Sequence, residues 1–218
     1  MRAHGVPEYY IQSCNKIAYL FPRGHATAYV MMAVRVAYFK LYYPLHFYAV
    51  FFSIRSDDYD IRAMIDGEEA VIAHIEALRS RMGSRDNPLK NKEENIYKTL
   101  LIALEMLERG YHFTNIDLYR SDYKMFVVDE ENKALIPPFS VIDGLGENAA
   151  RSICEARIMR DEDGNPVLDE NGKPMIKKFV SKKELQRRAT KVNGAHIASL
   201  DALGVLDGMP ADNQLTLF

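Results

Sequence analysis

Tryptophan is absent from this 218-residue chain, and cysteine is nearly so, with only Cys14 and Cys154. Two thiols so far apart in sequence supply neither a disulfide framework nor a zinc ligand set, so a reducing cytosol is the expected compartment. Long apolar runs are missing as well. The most hydrophobic stretch, residues 26–54, is interrupted by Arg35, Lys40, Pro44 and His46, whereas a membrane-spanning helix needs roughly 20 mostly uncharged residues. The N-terminus passes from Met1-Arg2 to Pro7-Glu8 without an apolar core, which argues against a secretory signal. No membrane partner is expected, and the expected localisation is cytoplasmic.

Carboxylates are scarce where aromatic rings are dense. Residues 1–56 hold one acid, Glu8, beside six Lys or Arg and thirteen of the chain's twenty-three Phe and Tyr. Uncompensated cations attract a polyanion and rings offer stacking faces, so nucleic acid is the expected partner. The near-neutral total, 28 basic against 30 acidic residues, conceals this segregation. Charge is about +5 over residues 1–56, −6 over 57–136 and −1 beyond. The last third is patterned too. Residues 161–170 carry five acids and no base, and residues 177–191 carry seven bases against Glu184 alone. Blocks of like charge also suit solvated loops and helix faces.

The pattern predicts a mainly α protein. Pro7-Glu8 opens a first helix to Leu20, broken at Phe21-Pro22. Residues 25–43 lack Gly and Pro, and His25, Tyr29, Met32 and Val36 share one helical face. Pro44 ends or kinks that helix, and residues 45–54 continue as a shorter one. Further helix is expected over 61–78 and from 92 to a cap at Gly110, around a polar loop at 83–91. The runs 124–128 and 134–136 read as a small hairpin stopped by Pro137-Pro138.

Beyond it lies Val141-Ile142-Asp143-Gly144-Leu145-Gly146-Glu147-Asn148, an apolar lead-in and a Gly-Leu-Gly turn before a helix to about Ile158. Glycines let main-chain N–H groups approach a phosphate at the positive end of a helix. The pattern resembles the helix-hairpin-helix motif, with Asn148 and Arg151 as side-chain donors, although an ordinary tight turn fits the same letters. Ser181 caps a basic helix and Asn193-Gly194 opens a second apolar one, resembling the other half of a paired module. Lys182, Lys183, Arg187, Arg188 and Lys191 would add phosphate contacts. Between the halves, residues 161–176 read as an acidic β-hairpin with turns at Asp163-Gly164 and Asn171-Gly172. They lack the ligand spacing of a calcium loop. The terminal Gln214-Leu215-Thr216-Leu217-Phe218 resembles the bacterial sliding-clamp-binding motif, in which Gln makes polar contacts while Leu and Phe fill an apolar pocket.

Together these pieces resemble the C-terminal end of PolC-type DNA polymerase III, a family C replicative polymerase. The resemblance covers nearly all of the chain. It is carried most specifically by Pro7-Glu8-Tyr9-Tyr10-Ile11, Phe21-Pro22-Arg23-Gly24-His25-Ala26-Thr27-Ala28-Tyr29 and Arg35-Val36-Ala37-Tyr38-Phe39-Lys40. It implies a helical fingers portion over 1–110, a small β-containing connector over 111–137, a paired helix-hairpin-helix duplex-binding domain over 138–207 with an inserted β-hairpin, and a clamp-binding tail over 208–218. It also makes Arg23, His25 and Tyr29 nucleotide-site residues, though His25 and Tyr29 suit a packing role as well. Gly144, Leu145, Gly146, Asn148, Arg151, Lys182, Lys183, Arg187 and Arg188 become duplex contacts, and Gln214, Leu215, Leu217 and Phe218 clamp contacts.

The implied partners are primer-template DNA, an incoming deoxynucleotide in the complete enzyme, the sliding clamp and the remaining polymerase domains. Family C polymerases use Mg held by palm carboxylates. Asp57, Asp58 and Asp60 read instead as a helix-start cluster. No catalytic residue, metal ligand or cofactor is assigned within these 218 residues, and alone they are expected not to polymerise DNA. A freestanding DNA-binding adaptor that recruits the clamp is the alternative.

Overall fold

In a computed structural model, residues 1–16, 23–84 and 86–212 are described. The chain divides into two compact units, Met1–Pro44 and Leu45–Phe218. Positions 110 and 137, expected as domain limits, fall inside the second unit, where one buried cluster runs from Leu45 to Leu206.

The first unit holds helices α1 (Glu8–Lys16) and α2 (Arg23–Tyr42). Arg2 and Glu8 form an exposed ion pair at 2.7 Å. The far end of the first helix and the expected break at Phe21-Pro22 lie outside the described residues. Helix α2 buries none of its residues. Large apolar side chains stand exposed around its circumference, Tyr29, Val30, Met31, Val34, Tyr38 and Leu41 among them. A helix that is apolar all round ordinarily lies inside protein.

The second unit opens at Leu45, the second residue of α3 (Pro44–Ile54), and continues with α4 (Ile61–Asp66), α5 (Glu68–Arg81) and α6 (Asn91–Glu108). Pro44 takes the first position of α3, where a missing N–H is harmless. The Asp60 carboxylate accepts the Ala63 N–H at 3.1 Å, so the acidic cluster at 57–60 does start a helix, as a cap. The helix expected over 61–78 is two helices, because Gly67 at φ 100° turns the chain between α4 and α5. Tyr48 and Phe52 of α3, Met64 of α4, and Leu100 and Met106 of α6 are fully buried. Phe52 meets Phe113 and Phe126 at ring distances of 5.3 and 5.5 Å.

The sheet runs in the order β1 (His112–Phe113), β3 (Ala134–Ile136), β2 (Val127–Asp129), with β1 parallel and β2 antiparallel to β3. The expected strand over 124–128 begins only at Val127. Asp122 accepts the Lys124 and Met125 N–H groups, each at 2.8 Å, and the Ser53 hydroxyl takes that of Phe126.

Three further helices follow among the described residues: α7 (Glu147–Ala156), α8 (Lys182–Arg188) and α9 (Gly194–Ala202). Ser181 and Asn193 cap α8 and α9 through the Glu184 and His196 N–H groups.

The inserted segment is not the single hairpin expected over 161–176. Three extended runs pair in a closed triangle, with Ile158 opposite Ile176, Arg160 opposite Pro166 and Leu168 opposite Pro174. Met159 N–H donates to the Met175 carbonyl, Met175 N–H to that of Val167 and Val167 N–H to that of Met159, at 2.8, 2.8 and 2.9 Å. An eight-residue repeat builds it: Asp161-Glu162-Asp163-Gly164-Asn165-Pro166-Val167-Leu168, then Asp169-Glu170-Asn171-Gly172-Lys173-Pro174-Met175-Ile176. Each leading aspartate accepts two main-chain N–H groups of its own turn. The third corner is the junction with the body, where Lys177 N–H donates to the Arg157 carbonyl at 2.7 Å.

Candidate nucleic-acid interface

The Gly-Leu-Gly turn is anchored from below. A 3-10 turn, Phe139–Val141, buries Phe139 and Val141, and Ile142 and Leu145 are buried beside them. Leu145 N–H closes the turn on the Ile142 carbonyl at 3.0 Å. Gly144 has φ 83°, a conformation that costs a residue with a Cβ about 1–2 kcal/mol. Gly146, at φ −63° and ψ 162°, is the N-cap of α7. Asp143, Gly144, Gly146, Glu147 and Asn148 are exposed. Among the described residues, no acceptor is bonded to the N–H groups of Gly146, Glu147 or Asn148. The corner therefore faces outward with unsatisfied donors at a helix N-terminus, the arrangement that receives an anion.

Cations surround this corner, and carboxylates hold each of them. Lys92 Nζ lies 2.8 Å from Asp143 Oδ1. Glu147 takes Arg151 at 2.9 Å and Lys124 at 3.4 Å, and these two hold its carboxyl below the usual range, Arg151 first. Arg151 also lies over the Tyr123 ring at 4.6 Å.

The expected duplex residues of the second half sort differently. Lys182 pairs with Asp201 at 2.6 Å and Lys183 with Asp212 at 2.8 Å. Arg187 is exposed and forms no ion pair among the described residues. Arg188 is a packing residue: its guanidinium donates to the Ala156 carbonyl at the end of α7, covers the Phe179 ring at 4.6 Å and approaches Glu184 at 3.6 Å. Lys191 is exposed, and its N–H donates to the Ser152 hydroxyl at 3.3 Å. The triangular insert follows α7, at the opposite end of that helix from the glycine corner.

In the first unit, Arg23 is the first residue of α2 and His25 and Tyr29 share a face one turn on. The His25 and Tyr29 rings meet edge-on at 4.3 Å. Arg23 and Tyr29 are exposed and His25 half-buried. Gln214, Leu215, Leu217 and Phe218 lie outside the described residues. The chain leading to them is fixed, because Lys182 and Lys183 N–H groups donate to the Pro210 and Ala211 carbonyls at 2.9 and 3.1 Å.

Among the described residues no three His, Cys, Asp or Glu side chains are placed to hold a metal ion, and no helix is long and apolar enough to cross a membrane. Lys92, Lys124, Asp143 and Glu147 carry no signal in the linear sequence that would single them out. Only the fold brings residues 51 positions apart into one pair.

No family model matches the chain. Individual proteins do. It is 45% identical over all 218 residues to DNA polymerase III PolC-type of Listeria monocytogenes, covering 13% of that protein. It is 45% identical to the Lactococcus lactis protein of the same name, covering 12%, and 44% identical to that of Halalkalibacterium halodurans, covering 14%, in each case along the whole chain. The chain thus spans about an eighth of the length of these curated relatives. Along its full length it corresponds to a segment of the PolC-type DNA polymerase III family.

Proposed function

We propose that this chain is the part of a PolC-type replicative polymerase that grips the primer-template duplex, lends a fingers surface near the incoming nucleotide and tethers the enzyme to its sliding clamp. The observation that carries the reading is the glycine corner at 143–148, exposed, rigidly anchored through Leu145 and presenting unbonded N–H groups. Such a corner holds a phosphate without reading a base, which is what an enzyme sliding along any sequence requires. Cations around it supply the remaining, sequence-independent attraction.

Arg23 offers a guanidinium at a helix start, and His25 and Tyr29 a paired imidazole and phenol for the nucleotide neighbourhood. Nucleotide transfer itself is assigned to Mg-binding carboxylates elsewhere in the complete enzyme. The uncovered apolar surface of α2 favours a piece of a larger cytoplasmic assembly over a freestanding adaptor, since such a surface calls for more protein to cover it.

Duplex binding by the full 218-residue chain, followed as salt is raised, tests the reading. Affinity falls steeply if several cations neutralise phosphates; a flat response removes the proposal. Removing residues 214–218 abolishes capture on immobilised clamp and spares duplex binding, whereas capture that survives refutes the tether.

A further inference from the structure

We infer that Lys92 and Lys124 are duplex-phosphate contacts held in reserve on the carboxylates of Asp143 and Glu147, which occupy the corner in place of the DNA backbone until DNA arrives. This rests on the reading of residues 143–148 as a phosphate corner and extends it to two lysines from separate elements.

Three cations converge on six residues. Lys92 comes from the first turn of α6, Lys124 from the loop before β2 and Arg151 from α7. All of these side chains and their two partners are about half exposed or more. Helix stability does not explain Lys92, since a cation in the first turn opposes the helix dipole. Its Nζ is directed instead at Asp143, immediately before Gly144. Lys124 is fixed at its own main chain by Asp122, so its side chain starts from a set position.

Two carboxylates beside a phosphate-binding turn would repel a duplex were they not neutralised. Exposed Lys–carboxylate pairs contribute only about 0–1 kcal/mol, so exchanging one for a phosphate costs little, and release of counterions from the duplex favours the exchange. Without DNA the corner thus stays compact, its three cations set against two carboxylates, and those cations already stand within reach when DNA comes. Asp143 and Glu147 act as exchangeable placeholders.

The test measures duplex affinity against salt for the unaltered chain, the Lys92→Met, Lys124→Met double variant and Asp143→Asn, with thermal melts to establish that each is folded. The double variant binds more weakly, and its log-log salt slope is shallower by roughly 0.9 for each lost phosphate contact. Asp143→Asn binds about two- to five-fold more tightly, the size of one exposed ion pair, because a competing anion is gone. Unchanged affinity and slope in the lysine variant, with the unaltered chain binding duplex normally, overturns this inference alone. Weaker binding by Asp143→Asn also overturns it, since the carboxylate would then be organising the turn. Failure of the unaltered chain to bind duplex overturns the phosphate corner, and this inference with it.

Discussion

Arg81 and Glu93 face each other across the loop joining α5 to α6, the guanidinium donating to both carboxylate oxygens at 2.6 and 3.0 Å. Glu93 also accepts the Lys90 N–H at 2.9 Å, which closes the start of α6. Arg81 first and Lys90 second hold the Glu93 carboxyl down to about 2, against a usual 4.5. A carboxyl depressed in the folded state adds stability above its unfolded pKa and loses it as pH falls toward the folded one. Glu93→Gln is therefore expected to lower stability at neutral pH and to flatten its decline from about pH 5 to about pH 2. Denaturant melts of the two proteins across that range check this, and parallel acid limbs would refute it.

Gly144 and Gly146 separate backbone strain from access. An added Cβ meets nothing within 4 Å at either position, but only Gly144 has a positive φ. Gly144→Ala is expected to cost about 1–2 kcal/mol of stability. Gly146→Val leaves the melting temperature within a few degrees, yet crowds the exposed N–H groups and weakens duplex binding. Equal affinity for Gly146→Val and the unaltered chain would leave the corner a plain turn.

Neighbouring arginines in α8 divide their work. Arg188→Met removes the donor to the Ala156 carbonyl and the cation over Phe179, an expected loss of about 1–3 kcal/mol. Arg187→Met is expected to move stability by less than about 0.5 kcal/mol while weakening duplex binding. Calorimetry paired with a salt titration distinguishes them; identical melts for both variants would contradict the assignment.

Cys154 is expected to resist alkylation in the folded chain. Burial pushes its thiol up to about 11, and its Sγ–H donates to the Ser121 carbonyl at 3.7 Å. Because the thiolate is the reactive form, mass spectrometry after brief iodoacetamide treatment at neutral pH is expected to find Cys154 unmodified until denaturant is added. Rapid labelling without denaturant would contradict this.

Much of the helical framework is legible in the sequence because its punctuation is local. Ser181 and Asn193 mark helix starts, Pro44 a restart, and Gly144 a left-handed turn that few other residues favour. The sheet is only half legible. The β2–β3 turn has its polar loop, but β1 is two residues long and so shows no alternation. The insert's two aspartate-led turns repeat plainly in the letters, whereas closure into a triangle depends on residues 158–160, which contain no turn residue. At the candidate interface, the glycine corner carries a local pattern. Lys92 and Asp143 do not, because only packing of α6 beside the corner makes them a pair. Arg187 and Arg188 are alike as letters, and burial alone tells them apart.

The insert leaves the domain at Arg157 and rejoins it at Lys177, one main-chain hydrogen bond away. Everything between those residues enters and exits through a single doorway. The cost of closing a loop across a fixed gap rises only slowly with its length, so α7 and α8 keep their course whether a short bend or a longer appendage stands there. Evolution gains a place to lengthen or trim the chain without disturbing the helices on either side, and an experimenter gains a grafting point at the opposite end of α7 from the glycine corner.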